Sequence, residues 1–133
     1  MAIKKDSARQ PPLTAVLTIN FGDPTAYGTA ENAIDLPQGA VVTGGDIVIV
    51  TPFNGTTNTL SLGDATLATR YATTVDLKAA AGTRTALTVT GFLTTLTEPA
   101  IRALLAQTGA ATAGAVRLHV TYIVPGRAFS SQG

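Results

Sequence analysis

A chain of 133 residues with 45% hydrophobic content is sized for one domain built around a single two-layer core. Its charged fraction is 13%, about half the typical value near 25%, its formal net charge is +1, and six of its nine basic residues (Arg70, Lys78, Arg84, Arg102, Arg117, Arg127) stand singly. No clustered basic face for a nucleic acid is expected; the absence of cysteine removes disulfides, thiolate metal sites and a Cys nucleophile; and neither a membrane span nor the apolar h-region of a secretory signal is apparent.

Residues 1–12 hold Lys4, Lys5, Arg9 and Pro11-Pro12 and read as an exposed basic arm with an extended end, since proline fixes φ and removes a ladder donor. From Leu13 to Phe21 the chain alternates. Leu13, Ala15, Leu17, Ile19 and Phe21 share one face, which predicts a half-buried strand. Gly22-Asp23-Pro24 stops it. A polar loop holding Tyr27 and Glu31 leads to a short strand at Ala33–Leu36, ended by Pro37.

Val41-Val42-Thr43 then enters the densest β-branched run, Ile47-Val48-Ile49-Val50, across Gly44-Gly45, where a bulge fits. Both faces of this run are apolar, so it is expected to be buried on both sides. Asn54-Gly55 reads as a tight turn of positive φ and Thr59-Leu60-Ser61-Leu62 as the return strand, closed by Gly63-Asp64. Further strands are expected at Arg70–Lys78 and Arg84–Phe92.

Thr97-Glu98-Pro99 has the residues of a helix start, and Ile101, Leu104 and Leu105 recur at helical spacing up to Gly109. This predicts a short amphipathic helix over Pro99–Gln107. The last strand is expected at Ala115–Val124, with Val116, Leu118, Val120, Tyr122 and Val124 on one face and Arg117, His119 and Thr121 on the other. Seven or eight strands with turn signals between them are the pattern of a sandwich or jelly roll.

The run DLPQGAVVTGGDIVIVTPFN, then LSLGDA and RY, and the closing VTYIVPGR together resemble the head decoration, or cement, proteins of tailed phages. Those are small virion proteins that coat the outside of the capsid. The resemblance spans about two thirds of the chain and rests on strand composition and spacing. It is weakest at the expected helix. It implies a structural virion protein on the outer capsid surface, assembled in the host cytoplasm. Its partners would be the major capsid protein and further copies of itself, as a dimer or alternatively a trimer. Lys4, Lys5 and Arg9 would form a capsid-contact arm.

Chemistry is poorly represented. His119 is the single histidine, and without cysteine a zinc site would need carboxylate ligands; a surface or interface position fits it better. No serine sits in a G-x-S-x-G elbow, and Ser61 reads as a strand end. Asp23, Glu31, Asp35, Asp46, Asp64 and Asp76 lie in or beside turns, where aspartate bonds nearby amides, and no calcium loop is present. No cofactor, metal or catalytic residue is assigned. The rival to a capsid role is a carbohydrate- or receptor-binding jelly roll of a phage head or tail fibre, using Tyr27 and Tyr71. The expectation is therefore an all-β single-domain sandwich of jelly-roll type over 13–126, one short helix near 99–107, an arm at 1–12 and a tail at 127–133. It is not expected to be an enzyme.

Overall fold

The structure is a computed structural model that describes residues 8–94, 99–125 and 130–131. In chain order its strands are β1 (Ala8–Arg9), β2 (Leu13–Asn20), β3 (Glu31–Asp35), β4 (Val41–Thr51), β5 (Thr57–Gly63), β6 (Ala72–Asp76), β7 (Arg84–Ala86), β8 (Ala100–Thr108), β9 (Ala115–Ile123) and β10 (Ser130–Ser131). Strands β2 to β9 form two four-stranded antiparallel sheets, in the orders β2-β9-β4-β7 and β3-β8-β5-β6. The fold is an all-β sandwich.

The alternation read from the sequence sets the inward faces. Ile19 on β2, Ile47 and Ile49 on β4, and Val116, Leu118 and Val120 on β9 meet Ile34 on β3, Leu60 and Leu62 on β5, and Ile101, Ala103 and Leu105 on β8. All of these are buried, and burial of apolar surface on this scale is the main favourable term in folding. Leu36, Phe53, Tyr71, Leu77, Leu87 and Val124, from the connections, extend the same core.

The bulge expected at Gly44-Gly45 is present: the β4–β9 register shifts between Val42 and Gly44. Gly45 has φ of 148° and lies opposite Val120, against the main chain of His119, where a Cβ would clash with the His119 carbonyl. Only glycine fits that close approach.

Three expectations are corrected. The helix over 99–107 is absent; Ala100–Thr108 is β8, in the interior of its sheet between β3 and β5. Ile101, Leu104 and Leu105 fit a helical period, but Ile101, Ala103 and Leu105 fit a period of two equally well, and a short apolar run does not separate them. Two flanking strands decide it, because they satisfy the backbone on both sides, whereas a helix this short is marginal. Thr97 and Glu98, the expected helix start, lie outside the described residues.

Second, β4 and β5 are not a hairpin. They belong to different sheets, and Pro52–Thr56 carries the chain across the sandwich with Phe53 buried under it. Gly55 has no positive φ. Third, β4 is buried on one face only. Ile47 and Ile49 are 1% and 2% exposed, whereas Val50 on the outer face is 42% exposed and Val48 is half-buried. A sandwich of two sheets leaves each sheet one solvated face, however apolar its residues.

The two ends of the described chain meet. β1 pairs antiparallel with β10, Arg9 opposite Ser130. Beside them the Gln10 side chain bonds the main chain of Val124 in both directions, Nε2 donating at 2.6 Å and Oε1 accepting at 2.9 Å.

Candidate functional site

The groups that could carry chemistry are mostly engaged in holding loops. Asp64 is buried at the end of β5, where Oδ1 accepts from the N–H of Thr66 at 2.9 Å and of Leu67 at 2.8 Å, and Oδ2 from Arg70 Nε. Burial pushes its pKa up, but the bonds from Leu67, Arg70 and Thr66 and the Arg70 charge outweigh that and hold it below the usual aspartate value. Asp23 Oδ2 accepts from Asn20 N–H at 2.8 Å, Glu31 accepts from Thr25 N–H, and Asp76 accepts from Lys78 N–H. Asp46 on β4 pairs with Arg84 on β7 at 2.7 Å. Asp23, Glu31, Asp64 and Asp76 thus bond backbone amides as expected of turn acids, whereas Asp46, expected beside a turn, lies within β4 and pairs side chain to side chain. Among the described residues no three metal-ligating side chains converge.

Ser61 is buried and its Oγ accepts from Thr74 N–H at 3.0 Å, which makes it part of the β5–β6 pairing. His119 lies half-buried on the outer face of β9, level with Val16 and Asp46, and its Nε2 accepts from Arg117 Nε at 3.0 Å.

Of Tyr27 and Tyr71, one is shut off from solvent. Tyr71 is 2% exposed, and burial first, then the nearby Asp64 charge, raises its pKa despite Arg70. Its hydroxyl has no hydrogen-bond partner among the described residues. Tyr27 is half-buried and donates to Phe21 O at 2.6 Å; burial and Asp23 raise its pKa. Of the arm residues, Lys4 and Lys5 lie outside the described residues, and Arg9 is placed only by its pairing with Ser130. Four of the six scattered cations are occupied, Arg70 by Asp64 and the Phe92 ring, Lys78 by the carbonyls of Gly55 and Thr56, Arg84 by Asp46 and Arg117 by His119, and Arg127 lies outside the described residues.

What the molecule offers outward is surface. A shallow cleft of about 200 Å³ opens where the edges β2 and β3 leave the sandwich unclosed, lined by Leu17, Ile19, Ala33, Ala103 and Leu105 with Asp23 and Glu31 at its rim. The outer face of the β2-β9-β4-β7 sheet carries Thr14, Val16, Thr18, Val48, Val50 and Thr121 around the few charges already named. The sequence identified the outward residues of β2 and β9 but expected Val48 and Val50 of β4 to be buried. It did not reveal that β2 ends a sheet, because strand neighbours are set by pairing across the whole chain.

An all-β sandwich of this kind hosts many unrelated functions, so the fold alone assigns none. No family profile matches the chain, and neither does any curated protein. Solved structures do. The chain is similar to one in the cyanophage Pam1 capsid asymmetric unit, with 26% identity and a TM-score of 0.68 over 94% of this chain and 93% of that one. It is also similar to one in the acid-stable capsid structure of the Helicobacter pylori bacteriophage KHP30, with 19% identity and a TM-score of 0.69 over 92% and 94%. Both neighbours belong to phage capsids, the class of assembly to which the sequence resemblance pointed.

Proposed function

We propose that this protein is a structural component of a phage head, a decoration protein that binds the outer surface of the major capsid protein shell and stabilises it. The observation that carries this reading is the similarity to a chain of the Pam1 capsid, at 26% identity across 94% of the sequence. The fold supports it. We read the sheet orders β2-β9-β4-β7 and β3-β8-β5-β6 as two interlocked Greek keys, a jelly-roll arrangement of the kind used by viral capsid domains. The low charge supports it as well, because a Thr- and Val-rich surface costs little to desolvate when another protein covers it.

The mechanism is adhesive. A copy seated across neighbouring capsomers binds the assembled shell and not its dispersed subunits, so it stabilises the shell by mass action. An interface of about 1,600 Å² is enough for specific attachment, and self-association as a dimer or trimer would multiply it through effective concentration. Lys4, Lys5 and Arg9 would supplement it by lying along acidic patches, a contact that salt weakens. The protein would act in the virion after assembly in the host cytoplasm, without catalysis.

The test is to mix purified protein with undecorated heads and look by electron microscopy for stoichiometric, ordered density on the shell. Ordered density together with a higher temperature of head rupture is the expected result. Heads left bare at saturating protein would overturn the reading, and glycan-array binding in that case would replace it with the carbohydrate-binding one.

A further inference from the structure

Of the four strands that end the two sandwich sheets, three are blunted and one is not. β3 carries Glu31 and Asp35 and a register break after Asn32. β6 carries Asp76, follows a register break in its partner, and is kinked by Thr74 at φ of 42°. β7 is three residues long and begins with Arg84. Charges, shortness and irregularity are how sheet edges avoid pairing with another strand. β2, LTAVLTIN, has none of them: eight residues stand in unbroken register with β9, without a charge, proline or glycine.

The free side of β2 follows from its bonded side. Just past the strand, Phe21 N–H donates to Gly114 O at 3.0 Å, continuing the β2–β9 ladder. Hydrogen-bonded positions alternate along an antiparallel pair, so Leu13, Ala15, Leu17 and Ile19 direct their main chain at β9. Thr14, Val16 and Thr18 direct theirs away from the sheet, where none of the described residues pairs with them. Asn20 would do the same, but its N–H is held by Asp23 Oδ2. Val16 is 61% exposed, more than any other large hydrophobic among the described residues.

We propose that this edge pairs with the same edge of a second copy, antiparallel, about a two-fold axis through Val16. The self-pairing follows from what a two-fold demands. Each residue near the axis meets its own equivalent, so a charge there would face itself; β2 is uncharged throughout. With the axis on Val16, Val16 faces Val16, Thr14 faces Thr18, and every outward N–H and C=O of these three residues is used. A slip of one residue would set the inner face of one strand beside the outer face of the other. A slip of two would call on the N–H of Asn20, which is already taken. The result is a sheet continuous through both copies, with Arg117 and His119 one strand back from the seam. This inference rests on the self-association in the proposed function and not on capsid attachment, so each can fail alone.

The experiment is sedimentation equilibrium on the full chain and on Val16→Lys, with Val50→Lys as the control on the same outer face but away from the edge. Val16→Lys leaves the core and the β9 ladder untouched, and circular dichroism checks that it is folded. Wild type and Val50→Lys should sediment at twice the 13.5 kDa chain mass, and Val16→Lys at 13.5 kDa. Because the chain has no cysteine, Val16→Cys adds a test of register: opposed Cα atoms about 5.5 Å apart lie within disulfide range, so mild oxidation should give a covalent dimer, and Val50→Cys should not. A monomeric wild type at high micromolar concentration, or a dimer that survives Val16→Lys and yields no Val16→Cys cross-link, overturns the proposal. A monomer whose binding to undecorated heads is lost in Val16→Lys also overturns it, and assigns the edge to a strand of the shell. A dimer lost in Val16→Lys with no head binding by either form upholds the edge and removes the capsid reading.

Discussion

Arg70 and Asp64 close the loop after β5 on itself: the guanidinium Nε donates to Asp64 Oδ2 at 2.5 Å, with the Asp64 side chain 2% exposed. The same guanidinium lies 3.5 Å from the centre of the Phe92 ring, a cation–π contact that joins this loop to the segment after β7. One arginine thus ties together two connections that are far apart in sequence.

This pair makes stability depend on pH in the acid range. The Asp64 carboxyl is held below its usual value, so its contribution is fully present above the unfolded pKa of about 3.9 and is lost as pH falls through the folded value. Asp64→Asn should be less stable than wild type by about 2–3 kcal/mol at pH 7, the worth of hydrogen bonds to a charged group. That difference should shrink below about pH 4. Urea denaturation at a series of pH values measures it, and a gap that stays constant down to pH 2 would remove Asp64 as the source.

Ile47 and Val48 are neighbours on β4 with opposite fates. Ile47 is 1% exposed, so Ile47→Ala should cost about 2–5 kcal/mol through lost burial and the cavity left behind. Val48 is half-buried on the outer face, and Val48→Ala should cost about 1 kcal/mol or less. Equal losses in equilibrium unfolding would mean that the outer face of this sheet is covered in solution.

Gly114 sits under the buried Phe53 ring with φ of 149°, and a Cβ there would come 2.5 Å from Phe53 Cγ. Gly114→Ala should therefore cost about 1–3 kcal/mol, because both the backbone and the overpacked ring must give way. Gly22 has open space around it and no positive φ, so Gly22→Ala should be neutral or slightly stabilising. Thermal melts of the two variants side by side make the comparison, and equal melting temperatures would contradict the packing at Phe53.

Local pattern was enough to define much of this molecule. Alternation in β2 and β9 placed Ile19, Val116, Leu118 and Val120 inward and His119 outward, and Gly44-Gly45 marked the bulge in β4, because side-chain direction and glycine freedom are properties of a few successive residues. The turn acids Asp23, Asp64 and Asp76 were legible for the same reason, whereas Asp46 lies within β4 and pairs with Arg84. What the sequence left open is what lies beside each segment. Ala100–Thr108 became a strand because β3 and β5 flank it, and β4 and β5 separated into two sheets although a turn signal joins them. Val48 and Val50 reached the solvated face since only one layer packs on β4. Which strand is left as an unprotected edge also depends on the order of all eight sandwich strands. Pairing and layering join residues far apart in the chain, and the free energy that selects among them exists only once the sheets are assembled.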